Sequence, residues 1–316
     1  MYIFLYNFII FSGDIMKNII KVEHQGFCYG VKHSIKMVLD VLNDKTYPRP
    51  IYLLNSIVHN QDVNNYFKEK GVIVLEGKTK LELLDEIKSG TVIFSAHGVS
   101  DVVKEKASKM NITVVDATCP FVERSYQLIK KHLNNDYHLL YIGKTKHPET
   151  EAVLSFGSNI SLITDENNIK IPNSNRIALA HQTTMSDYDV KSIYDKVKTI
   201  NEKVIVLPMI CNATKLRQEG LKQTLETTNL SNTLVIIVGD KTSNNCTKLY
   251  ELALMYTNNV KFVSNYLELQ DFDTSGFDTI VVASGTSTPI INVDNIILYL
   301  SNKKIKDNSH IEKYIN

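Results

Sequence analysis

The stretch Ile112-Thr113-Val114-Val115-Asp116-Ala117-Thr118-Cys119-Pro120 decides the fold. Its β-branched, apolar start predicts a buried parallel strand. Pro120 suits a first helical turn, and Val122, Tyr126, Ile129 and Leu133 then fall on one helical face. Cys119 therefore stands between the carboxyl end of a strand and the start of a helix, where open α/β sheets place ligands. The same arrangement occurs twice more. Ile19-Ile20-Lys21-Val22 precedes Cys28, and Val31, Ile35, Val38, Leu39 and Leu42 follow on one face. Val204-Ile205-Val206-Leu207 precedes Cys211, and Leu216, Leu221 and Leu225 give a less cleanly amphipathic helix. The three cysteines lie 91 and 92 residues apart. Near-equal spacing of this kind marks three similar units of about ninety residues.

Two further runs recur in each unit. Ile51-Tyr52-Leu53-Leu54, His138-Leu139-Leu140-Tyr141-Ile142 and Leu234-Val235-Ile236-Ile237-Val238 lead to polar loops holding His59, His147-Pro148-Glu149 and Ser243-Asn244-Asn245. Val92-Ile93-Phe94, Ile177-Ala178-Leu179-Ala180 and Ile280-Val281-Val282-Ala283 lead to His97-Gly98, Gln182-Thr183-Thr184 and Gly285-Thr286-Ser287. Strands alternate with helical stretches, which predicts three small α/β domains with parallel-rich sheets. If these pack in a pseudo-threefold arrangement, their strand ends converge on a central site. The borders expected from the spacing are 16–111, 112–203 and 204–300, followed by a polar tail over 301–316. Residues 1–15, apolar and aromatic at first, are expected to be an over-extended start or a flexible tail, with a weak membrane-associating segment as the alternative. The run is too short to span a bilayer and lacks the basic flank and cleavage site of a signal peptide.

The chain of 316 residues is 43% hydrophobic, ample for several cores. Its 35 Lys and Arg nearly balance 34 Asp and Glu, for a net charge of +1. No broad basic field is present, so nucleic acid is not an expected partner, and neither is a membrane. Four cysteines without a CxxC pair do not make a disulfide scaffold and suit a reducing, cytoplasmic setting.

A single cysteine in a core is usually a small hydrophobe. Three at repeated strand ends are expected to share a metal or cluster, with Cys246 a bystander. Zinc with a histidine is an alternative, but structural zinc sites draw ligands from closely spaced pairs, and none exists here. Iron–sulfur clusters accept ligands from distant segments, and three thiolates leave one iron open. Alone, His59, His97 and His147 are more often ordinary histidines, and Ser243-Asn244-Asn245 more often a cap or turn. Together with Ser287 they read as donors to an anion such as a diphosphate. Glu149 is a candidate proton donor, with Thr183 to orient it. A helix cap is the bland reading of Thr183.

These segments resemble the iron–sulfur reductase family of 4-hydroxy-3-methylbut-2-enyl diphosphate reductases, which act in the non-mevalonate route of isoprene biosynthesis. The resemblance rests on Gly26-Phe27-Cys28-Tyr29-Gly30-Val31, Ile57-Val58-His59-Asn60, Ser95-Ala96-His97-Gly98-Val99 and Asp116-Ala117-Thr118-Cys119-Pro120. It continues through His147-Pro148-Glu149, Gln182-Thr183-Thr184, Ile210-Cys211-Asn212-Ala213-Thr214, Lys241-Thr242-Ser243-Asn244-Asn245 and Ser284-Gly285-Thr286-Ser287-Thr288-Pro289. It implies one 4Fe–4S cluster per subunit on Cys28, Cys119 and Cys211, with an open iron for the substrate hydroxyl. It implies substrate contacts from His59, His97, His147, Thr183, Ser243, Asn244, Asn245 and Ser287, and a proton from Glu149. It implies reductive dehydroxylation of an allylic diphosphate to isopentenyl and dimethylallyl diphosphates, with ferredoxin or flavodoxin as electron donor. Asn244 stands where the family often has a second Ser, and the role of Asp240 is open. A cluster-bearing redox sensor without turnover and a zinc hydrolase are the competing readings.

Overall fold

The structure, a computed structural model, describes residues 6–12, 15–167, 169–209, 211–306 and 311–314. Strands β1 (Tyr6–Ser12) and β2 (Ile15–Lys21) form an antiparallel pair. Residues 6–12, within the stretch expected to be an over-extended start or a flexible tail, form a strand; residues 1–5 and 13–14 lie outside the described residues.

Helix α1 (Tyr29–Asn43) leads into β3 (Ile51–Leu54), α2 (Gln61–Glu69), β4 (Ile73–Leu75), α3 (Lys80–Asp85), β5 (Thr91–Phe94), α4 (Asp101–Ser108) and β6 (Thr113–Asp116). These four strands form a parallel sheet in the order β4-β3-β5-β6. Helix α5 (Pro120–Leu133) leads into β7 (His138–Ile142), α6 (Pro148–Leu154), β8 (Ile160–Ile163), β9 (Ile177–His181), α7 (Asp187–Ile200) and β10 (Ile205–Val206). The second parallel sheet runs β8-β7-β9-β10. Helix α8 (Asn212–Thr227) is followed by β11 (Thr233–Val238), α9 (Asn244–Leu254), β12 (Val260–Val263), β13 (Thr279–Ser284) and α10 (Ile290–Leu300). The third sheet runs β12-β11-β13-β2, with β1 added antiparallel on the outer side of β2.

The three parallel sheets therefore share one strand order, and each ends on the strand that precedes a cysteine. By hydrogen bonding β6 and β10 close the sheets of the elements that precede them. The last sheet takes its closing strand, β2, from the start of the chain.

By contacts the chain divides into two compact units. Unit 1 takes the described residues up to Tyr29, His59–Asp62, and those from Asn212 onward; unit 2 takes Gly30–Val58 and Val63–Cys211. In unit 1 the sheet is buried on both faces, which is why β11 reads as an unbroken apolar run. Ile19, Leu234, Ile236, Ile280 and Val282 meet Val293, Ile296 and Leu300 of α10. On the other face Ile20, Val235, Ile237 and Val281 meet Leu221 and Leu225 of α8 and Leu249 of α9. In unit 2 the second sheet does the same, with Leu139 and Tyr141 against Tyr126 and Ile129 of α5, and Leu140 and Leu179 against Ile193 and Val197 of α7. Each such side chain contributes about 1.5–3 kcal/mol of burial, so the strand ends that carry polar groups rest on a stiff base.

Candidate active site

Each cysteine is held by the same backbone bond. Cys28 N–H donates to Thr286 O at 3.1 Å, Cys119 N–H to Ala96 O at 2.9 Å and Cys211 N–H to Thr183 O at 3.1 Å. The three acceptors stand two residues past the ends of β13, β5 and β9, the strands beside β2, β6 and β10. All three sulfurs are half-buried thiols. Cys28 and Cys211 immediately precede α1 and α8, and Cys119 is the N-cap of α5 without using its thiol as a cap. A helix start favours the thiolate, the form that binds metal. In unit 2 a Cβ placed on Gly30 would lie 2.3 Å from Cys119 Sγ, so the missing side chain keeps that thiol's surroundings clear. In unit 1 the Arg217 guanidinium, itself buried, donates to Gly26 O at 2.7 Å and holds the loop before Cys28.

The loops after β3, β7 and β11 also repeat. His59, His147 and Ser243 each stand five residues past their strand, and Gln61, Glu149 and Asn245 stand seven past. In unit 2 Glu149 is 2% exposed. Its Oε1 accepts from Thr183 N–H at 2.9 Å and its Oε2 from the Thr183 hydroxyl at 3.0 Å. Burial raises its carboxyl from the usual range to about 7, the Thr183 donors opposing part of that rise. The position holds an acid that is half protonated near neutrality. In unit 1 the equivalent Asn245 Oδ1 accepts from Thr286 N–H at 2.9 Å, so an amide plays toward the backbone the part that the carboxyl plays in unit 2.

His147 is the N-cap of α6, and its Nδ1 accepts from Glu149 N–H at 3.2 Å. That acceptor role leaves the ring proton on Nε2, so a neutral His147 presents a donor there. His97 meets the His147 ring edge-to-face at 5.6 Å. In unit 1 Ser243 caps α9, as the bland reading of that residue expected, and the Ser287 hydroxyl lies 3.4 Å from its oxygen. Ser287 also donates to His59 O at 3.0 Å. Asn244 and Asn245 are buried at the first turn of α9. The Asp240 carboxylate accepts from Gln61 N–H at 3.2 Å and Thr242 N–H at 2.8 Å, which ties the His59 loop to the β11 end. Cys246 is fully buried, its sulfur filling the space left by Gly239 and Gly285.

Unit 2 therefore brings together Glu149, Thr183, His97 and His147, and unit 1 brings together His59, Ser243, Asn245 and Ser287. Sequence reasoning missed their supports. Tyr141 is fully buried with its hydroxyl 3.5 Å from Glu149 Oε1, and the Tyr126 hydroxyl donates to His97 O at 2.8 Å. Burial holds both phenols well above 10, so both remain donors. Lys80 donates to Gly98 O at 2.7 Å. An apolar strand position filled by Tyr141 was the available signal; Lys80 and Arg217 gave none.

A model of the LytB protein family matches residues 19–301. A 4-hydroxy-3-methylbut-2-enyl diphosphate reductase of Bacillus cytotoxicus is 37% identical over 287 residues, covering 89% of this chain and 90% of that one. The enzyme of the same description from Macrococcus caseolyticus is 37% identical over 288 residues, covering 89% and 88%. The solved structure of the E-1-hydroxy-2-methyl-but-2-enyl-4-diphosphate reductase from Plasmodium falciparum is similar with a TM-score of 0.81 at 25% identity, covering 90% of this chain and 88% of that one.

Proposed function

The chain belongs to the LytB protein family, and on that premise we propose how its own residues serve the family's reaction. It is an oxidoreductase that converts (E)-4-hydroxy-3-methylbut-2-enyl diphosphate to isopentenyl and dimethylallyl diphosphates. The reaction replaces a C–O bond by a C–H bond: two electrons and two protons enter, and the hydroxyl leaves as water.

The cofactor is a 4Fe–4S cluster on Cys28, Cys119 and Cys211. The donor set fits it: three thiols, no disulfide among the four cysteines, each thiol beside a helix start, and Gly30 leaving room at Cys119. When bound, such a cluster supplies the electrons and a Lewis-acidic iron. Ferredoxin or flavodoxin is the electron donor by family likeness.

The protein's part in the proton chemistry falls to Glu149. Hydroxide is a poor leaving group, and an acid with a pKa near the working pH is the most effective donor to it. Thr183 holds both carboxylate oxygens and so sets which way the proton points. His59, His97, His147, Ser243, Asn244, Asn245 and Ser287 are the diphosphate donors by family likeness. The observation that carries the reading is the buried carboxyl of Glu149, raised to about 7 and gripped by Thr183. Its test is anaerobic turnover of the allylic diphosphate with a strong chemical reductant. Wild type releases both products; Glu149→Gln retains its iron and loses most turnover. Near-normal turnover in that variant overturns the role.

A further inference from the structure

Lys80 is a cation in the wrong place for the fold alone. It is the first residue of α3, where the helix's own N–H groups disfavour positive charge. Its backbone is locked there by a capping box: Thr79 Oγ1 accepts from Glu82 N–H, and Glu82 Oε2 accepts from Thr79 N–H at 2.9 Å. Its side chain is 8% exposed. A desolvated ammonium needs a counter-charge or several acceptors to be tolerable. The structure gives its Nζ one hydrogen bond, to Gly98 O, and among the described residues no carboxylate forms an ion pair with it. Glu151 of α6 acts on it only from beyond that range, and burial lowers its pKa to about 8.

The single acceptor is informative. Gly98 follows His97 and has a positive φ of 74°, where a Cβ would strike the Tyr126 ring at 2.8 Å. Tyr126 of α5 takes the His97 carbonyl and Lys80 takes the next one. Two buried donors thus hold successive carbonyls of the loop that carries His97, whose ring abuts His147 of α6. The ionisable groups around this cluster are Tyr126, His97, His147, Glu151, the carboxylates Glu149, Glu123 and Asp116 that act on Tyr126, and, on α4, Lys106, which donates to Leu81 O and pairs with Asp85.

We propose that Lys80 is a positioning and charge-supplying residue for the diphosphate: it fixes the His97–Gly98 peptide, and its missing counter-charge is provided by the bound anion. The inference rests on the diphosphate reading of His97 and His147. Binding of the anion stabilises the ammonium form, so binding near pH 8 draws a proton onto Lys80.

Calorimetric titration of the anaerobic holoenzyme with inorganic diphosphate at pH 8, in two buffers of different ionisation enthalpy, tests it. Wild type is expected to bind with a proton uptake that Lys80→Met lacks, and Lys80→Met to bind about tenfold more weakly, the scale of a coupling of about one pKa unit. Lys80→Arg keeps its charge at pH 8, so it is expected to restore much of the affinity without the uptake. A purely structural lysine would lower the melting temperature of Lys80→Met and leave the difference in proton uptake at zero. Equal affinity and equal uptake in wild type and Lys80→Met overturn the inference while leaving the diphosphate reading intact. Absence of diphosphate binding by wild type overturns both. Should Lys80→Met fail to fold, Lys80→Arg decides alone: proton uptake equal to wild type overturns the inference, and its loss supports it.

Discussion

Glu149 carries a cost that its neighbours do not remove. A carboxyl raised from 4.5 to about 7 binds more protons in the folded than in the unfolded chain across that window, so stability falls as pH rises through it. The full cost, about 3 kcal/mol, is present above pH 7. Glu149→Gln removes the titrating group while its amide can still accept from Thr183 N–H. The expected outcome is a higher melting temperature than wild type at pH 8, little difference at pH 4.5, and turnover reduced at least about a hundredfold, the scale of a lost general acid. A lower melting temperature at pH 8 would contradict the buried-acid account. With Glu149 as the proposed proton donor, the acid form is used up as pH rises, so kcat/KM should fall on the alkaline side with an apparent pKa near 7. A kcat/KM still rising at pH 9 would place the donor elsewhere. Asp240→Ala, which removes the carboxylate acceptor of the Gln61 N–H, is expected to raise KM several-fold with kcat nearly kept, since the loop it ties carries His59, proposed to bind substrate, and no proposed reacting group.

At the level of elements, the strand that precedes each cysteine was legible from its β-branched run, and the helix after it from its period. The short strands β4, β8 and β12 were not. Most of their side chains are half-exposed at the outer edge of each sheet, Ser161 and Lys261 interrupt β8 and β12, and the apolar run of β4 is only four residues long, Val72-Ile73-Val74-Leu75. The sheet to which the strand before each cysteine belongs was not legible either. Spacing reveals the period of a repeat but not its phase, and only hydrogen bonding assigns β6 and β10 to the sheets before them. The equivalence of Glu149 and Asn245 was hidden too, because the two residues share an acceptor role and little else. Of the candidate site, the cysteines and the residues proposed as donors were visible as strand-end polar groups. The supports Tyr126, Tyr141, Lys80 and Arg217 were not, since each acts through a carbonyl or a buried oxygen that only the folded chain brings near. One element-scale prediction follows from Gly30. Ala is a better helix former, so Gly30→Ala in α1 should leave helix content unchanged. Its methyl would meet Cys119 Sγ at 2.3 Å, so iron and sulfide content should drop sharply. Full cluster content in that variant would show that the space is not needed.

At the scale of the whole molecule, one sheet order is used three times, and the chain's first parallel strand completes its last sheet. Among the described residues no helix is long and apolar enough to cross a membrane. The repeated unit delivers the same three things from each copy: a cysteine before a helix, a polar group five residues past one strand, and a backbone carbonyl two residues past another. The central claim is that the three cysteines share one redox cluster. Iron and acid-labile sulfide analysis of protein purified without oxygen, in wild type and in each Cys→Ser variant, tests it most directly. The account predicts about four irons and four sulfides per chain in wild type and in Cys246→Ser, and loss of the cluster in Cys28→Ser, Cys119→Ser and Cys211→Ser alike. Colourless wild-type protein with a single zinc and no sulfide, or a full cluster in any one of Cys28→Ser, Cys119→Ser and Cys211→Ser, would contradict it.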